Sequence, residues 1–186
     1  MQMLTALKRF PRAASGMATV DFAIVAIPFL SLICVPLDAG LLIAAQMSLD
    51  ANTDRETRSL FTGTVQAFAD GKTAKAVDRL RERVCEAGYR FFDCATLRLE
   101  STSGTSFASA AGNEFYDSAS KGWSAGFGDR FVCPNGGDIV VVRAAVPYRP
   151  VFSFIPFADR KMADGSFLLV STYVLRAEPY PSGSCT

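Results

Sequence analysis

Between Ala18 and Met47 the only ionisable side chains are Asp21 and Asp38, and the fold must accommodate that run before anything else. Roughly 20 apolar residues suffice to cross a bilayer as a helix. Lipid offers no hydrogen bonds to a backbone, so helix is the form such a segment takes. One crossing is therefore predicted over residues 17–47, apolar on all sides as lipid contact requires. Pro28 and Pro36 each remove a backbone donor and can bend or locally melt the segment. No second apolar stretch of that length follows, and 186 residues leave room for one ordinary domain outside the membrane.

Charge sets the expected topology. Residues 1–16 form a basic leader holding Lys8, Arg9 and Arg12 and no acid. The whole chain has 19 basic and 18 acidic residues, so 16 basic and 18 acidic remain beyond the leader. Basic residues mark the cytoplasmic flank of a membrane segment, which puts the N-terminus inside the cell and the domain beyond the membrane. No A-x-A-like site follows a short apolar core, so the helix is expected to stay with the protein. Near-neutrality argues against a field that would recruit nucleic acid, and no nucleic-acid partner is expected.

Cysteine usage points to an oxidising compartment. Cys34 lies inside the apolar run, where a thiol behaves as a small hydrophobe. Cys85, Cys94, Cys133 and Cys185 form an even set that permits three pairings. The expected ones are Cys85 with Cys94, across a short turn, and Cys133 with Cys185, which ties down the C-terminus. Loop entropy alone gives these closures roughly 2.7 and 4 kcal/mol. A metal site is not expected, because there is no C-x-x-C and no histidine.

Beyond Met47 the sequence turns charged without a proline, so the helix should continue as a stalk to about residue 60, leaving 61–186 as the domain. A second helix, about Thr73 to Ala87, places Val77, Leu80 and Val84 on one face. Strands are expected at Ala95 to Glu100, Asp138 to Val146 and Ser166 to Leu175. The fold class is α+β: a long membrane and stalk helix, then a domain with a helix on a three- to four-stranded antiparallel sheet. Ser101 to Gly137 reads as a long Gly- and Ser-rich excursion whose aromatics, Trp123 among them, either cover the edge of the core or form a binding loop. Pro147 to Pro156 reads as an apolar connection near the membrane surface.

Catalytic patterns are weak. Without histidine no Ser-His-Asp or Cys-His arrangement exists, and a Ser-Lys pair, for example Ser120 or Ser118 with Lys121, rests on closeness in one loop, which does not make a site. Asp117, Asp129 and Asp138 lack the spacing of an EF-hand. No enzyme activity and no cofactor are expected.

The opening of the chain carries the strongest signal. A cut between Gly16 and Met17 would free an amine at the start of the helix, with Asp21 one turn further on the same face. An unpaired aspartate at the centre of a membrane helix costs about 2.5–3.5 kcal/mol and less near its end, so such a helix gains by lateral association. This arrangement resembles a type IV prepilin. More narrowly, Gly16, Val20, Asp21, Phe22, Ala23, Pro28, Asp38 and Gly40 resemble the opening of TadE-like and TadG-like proteins of the tight adherence (Tad, or Flp) pilus system. Arg176, Glu178 and Pro179 are similar to the R-N-E-P ending of such proteins. Asp21 stands where that family usually has glutamate, and Ala177 where it has asparagine.

The resemblance implies a minor pilin or pseudopilin of the bacterial inner membrane, cut by a prepilin peptidase. Its implied partners are other pilins, through Asp21, Phe22 and the rest of the helix, and the inner-membrane assembly platform. The domain would be periplasmic, and the subunit able to enter the extracellular fibre. The competing reading is an unprocessed, membrane-anchored module for binding or adhesion.

Overall fold

The computed structural model describes residues 17–61, 73–86, 88–112, 114–128, 130–151 and 161–179. The leader with Gly16, the second half of the Pro147–Pro156 connection, and Cys185 lie outside the described residues. Elements follow in the order α1 (Met17–Phe61), α2 (Thr73–Glu86), β1 (Arg98–Gly104), the short α3 (Phe107–Ala110), β2 (Tyr116–Asp117), β3 (Gly122–Trp123), β4 (Ile139–Tyr148) and β5 (Phe167–Arg176). The architecture is α+β. The helix runs without a break through both Pro28 and Pro36.

Strands β1, β4 and β5 make an antiparallel sheet in the order β1-β4-β5. Leu99 stands opposite Ala144, and Val142 opposite Tyr173. One face of this sheet carries Leu99, Val140, Val142, Val146 and Leu169 into the main core. There they meet Ala45 and Leu49 of α1 and Ala76, Val77, Leu80 and Val84 of α2. The apolar stripe on α2 is the one its sequence spacing predicts. Arg83 on its flank reaches Glu56 of α1 at 2.8 Å, and a disulfide between Cys85 and Cys94 ties the end of α2 to the turn before β1.

The stalk expected beyond residue 47 does not stand apart from the domain. Ala45, Leu49, Asn52, Thr53, Glu56 and Thr57 are all buried, recurring at helical spacing, so this half of α1 is a core element. Gln46 donates to the carbonyl of Val170 at 2.9 Å and the Tyr173 hydroxyl to the carbonyl of Asp50 at 3.1 Å, fastening β5 along the helix. A boundary at residue 61 therefore divides one packed unit.

The second face of the sheet is covered as well, by the segment between β1 and β4. Strand β4 reads IVVVRAAV with no polar alternation, the pattern of a strand covered on both faces. Phe127 is fully buried against Ala145 and Leu168, with Phe115, Tyr116, Trp123, Met162 and Val170 around it. At the far end of the sheet α3 packs on β1, and the Thr102 hydroxyl donates to the carbonyl of Ala110 at 2.7 Å. Chain 130–132 lines the outer edge of β1, where Ser101 donates to Arg130 at 3.0 Å and Val132 to Ser101 at 2.9 Å.

Within this second layer Glu100 and Arg143, direct cross-strand neighbours, form a buried ion pair. The guanidinium also lies 5.9 Å from the centre of the Phe127 ring. Gly112 closes the site, since a Cβ there would run into the Arg143 side chain. Removing one member of such a pair strands a charge in the interior. Arg143→Leu alone is expected to cost about 3–5 kcal/mol, whereas Glu100→Leu with Arg143→Leu recovers most of it. Denaturant unfolding of the full chain in detergent measures both; a double variant no more stable than the single one contradicts this account of the pair.

Candidate functional site

The N-terminal half of α1 is the part of the molecule that the domain leaves alone. Phe22 and Ile27 are 74% and 73% exposed, and Ile24, Leu30 and Ile33 are exposed too. An apolar surface of this kind is not tolerated by water and marks contact with lipid or with other apolar chains. The helix is long and apolar enough to cross a membrane. Asp21, also exposed, sits at its start, four residues after Met17 and thus on the same face. Gly16, the other half of the expected cleavage site, lies outside the described residues.

Asp38 is treated in the opposite way. Its side chain is fully buried, and its Oδ1 accepts the backbone N–H of Val151 at 3.0 Å. The phenol of Tyr148 is pushed above its ordinary range, first by burial and then by the nearby Asp38 charge. A charged acceptor makes a hydrogen bond roughly twice as strong as a neutral one, so a carboxylate in an apolar helix gains by finding an amide. Here the amide is supplied by chain that has passed through the sheet and returned. The sequence places Asp38 in a motif without giving it a partner. The signal was present nonetheless, because an acid in an apolar run requires a donor.

Burial along α1 changes character at this residue. Positions 20–37 carry no fully buried side chain, whereas Asp38 begins the one-sided stripe continued by Ala45, Leu49 and Thr53. Leu41, beside this stripe, and Ile43 and Met47, on the opposite side of the helix, stay exposed.

Trp123 does not project from a binding loop. It stacks on Phe127 with centroids 5.7 Å apart, and the Arg98 guanidinium lies over the ring at 4.7 Å from its centre. Close approach to Arg98 demands Gly128, whose φ of 94° belongs to glycine and whose added Cβ would meet the Arg98 Cβ at 2.8 Å. Phe115, Tyr116, Trp123 and Phe127 thus line the second layer, while Phe131 joins the main core and Phe107 is exposed. Ser120 donates its hydroxyl to Asp117 at 2.7 Å within the β2–β3 turn, lowering the Asp117 pKa. Asp138 accepts the Asn135 N–H at 2.9 Å in another turn, and Asp129 lies outside the described residues. Among the described residues no group of three or more His, Cys, Asp or Glu could hold a metal ion. The Cys85–Cys94 bond joins the two residues expected to pair; the Cys133–Cys185 pairing involves a residue outside the described ones.

No protein-family model, no curated protein and no solved structure matches this chain.

The geometry at Asp38 yields a direct test. Asp38→Ala removes a charge-assisted bond of about 1.5–3 kcal/mol, so the Val151 amide should exchange with solvent deuterium roughly 10–100 times faster. Asp38→Asn keeps an acceptor oxygen and should retain most of the protection. Equal exchange in the wild type and Asp38→Ala would show that the contact does not hold the connection.

Proposed function

We propose that this chain is a minor pilin or pseudopilin, a TadE/TadG-like subunit that takes part in assembly, priming or tip structure of a tight adherence pilus. The observation that carries the reading is the free apolar segment of α1, which bears Asp21 one turn beyond its first residue, behind a basic leader ending at Gly16. In this reading the helix anchors the protein once in the bacterial inner membrane, with the N-terminus cytoplasmic and the domain periplasmic. A prepilin peptidase cuts between Gly16 and Met17 on the cytoplasmic side.

The cut leaves an amine on Met17, and the Asp21 carboxylate compensates the corresponding amine of a neighbouring pilin. Phe22, Ile24, Ile27, Leu30 and Ile33, which the domain leaves uncovered, then hold the helix in a bundle with other pilin helices on the assembly platform. Exposure of all five supports this, because a side chain used against a partner subunit must be free in the monomer. The globular domain suits a low-abundance subunit that decorates or initiates a fibre rather than the short repeating protein that fills it.

N-terminal sequencing of the protein from cells that express the peptidase should begin at Met17. Gly16→Leu should leave a larger, uncut form absent from fibres. Asp21→Ala should be cut normally yet fail to assemble, and Asp21→Glu should keep both steps. A wild-type protein that retains Met1 would instead identify an uncut, membrane-anchored adhesion module.

A further inference from the structure

We infer that the end of the domain around Val151, Arg149 and Lys161 is seated in the phospholipid head-group layer of the membrane that α1 crosses. The inference rests on the membrane-spanning reading of α1, not on the pilin reading. Its basis is a match of lengths fixed by the Asp38 contact. From Met17 to Leu37 the helix is about 30 Å long, the thickness of the hydrocarbon core. Asp38 follows at once, buried, with the Val151 amide on its carboxylate. Beside the buried stripe that Asp38 begins, at Leu41, and opposite it, at Ile43 and Met47, the apolar surface runs on. Those ten residues reach about 15 Å beyond Leu37, more than the roughly 5–8 Å depth of one leaflet's head-group layer. The last turns of this apolar surface therefore cross the head groups, and the domain packs beside those same turns.

Which end of the domain lies there follows from the strands. Gln46 holds Val170 and Asp50 holds Tyr173, so β5 begins toward Asp38 and runs away from it. Tyr148 at the end of β4 pairs with Phe167 at the start of β5, and Lys161 bridges to Phe167. Val151 is 66% exposed although apolar, and Arg149 and Lys161 are exposed beside it. Asp164, 3.6 Å from Arg149, is an acid of this group. An exposed aliphatic residue flanked by cations matches the interface, where apolar groups meet acyl chains and basic side chains meet phosphates. The opposite end, with Gly104, Phe107 and Arg176, lies about 30 Å further along β4.

Tryptophan fluorescence in vesicles tests the seat. The full chain is reconstituted in phosphatidylcholine with a minor share of phosphatidylglycerol, the acyl chains brominated either near the carbonyl or near the methyl end. Emission is compared with that of the wild type, whose Trp123 gives the background. Val151→Trp should lose most of its added emission to shallow bromine and little to deep bromine. Phe29→Trp, within the apolar helix, should be quenched most by deep bromine, and Phe107→Trp, at the far end, by neither. If Phe29→Trp is quenched as expected but Val151→Trp behaves like Phe107→Trp, the domain stands clear of the lipid and the seat is wrong. If Phe29→Trp escapes deep bromine, the helix does not span, and both the span and the seat fall.

Discussion

A carboxylate in an apolar helix has few ways to be satisfied, and Asp38 takes the one that organises the molecule. Its partner is a backbone amide 113 residues further on. To bring Val151 there, β4 must run alongside α1 and end level with Asp38, which fixes the direction of the whole sheet. The same contact divides the helix into a half that nothing in the domain covers and a half that is part of the core. The exposed apolar half and the core half are one element, so an orientation imposed on α1 is imposed on the domain.

The sheet is held between unlike layers. Helices α1 and α2 bury one face with aliphatic side chains, while the excursion between β1 and β4 buries the other with aromatics, a short helix and the Glu100–Arg143 pair. A buried pair of this kind contributes little net stability against apolar replacements. It does make the register specific, because a slip of one residue between β1 and β4 would turn one charge to the opposite face, against the helices, and leave the other without its partner.

Much of this was legible in the sequence. The apolar run, the amphipathic α2, three strand positions and the Cys85–Cys94 pairing follow from local pattern, which is why the structure and the sequence reading agree on them within a few residues. The charged, proline-free sequence beyond Met47 continues the helix to Phe61 as expected. That Asn52, Thr53, Glu56 and Thr57 lie on a buried face is not revealed by composition, because all four are polar. By composition the excursion from Ser101 to Gly137 reads as either an edge cover or a binding loop. IVVVRAAV held the clue to its role, since a strand apolar on both faces needs two covers and the helices supply one. Asp38 was visible as an anomaly, but its partner depends on a long-range pairing that periodicity does not carry.

The central claim is that α1 changes environment at Asp38, and a nitroxide scan along residues 20–57 in vesicles tests it most directly, with collision by dissolved oxygen as the readout. The account predicts high oxygen accessibility on every side of the helix from Val20 to Leu37. Beyond that point a helical period should appear, with minima at Asp38, Ala45, Leu49, Asn52 and Glu56. A helical period that begins well before Leu37, or accessibility that stays uniform through Met47, would contradict it.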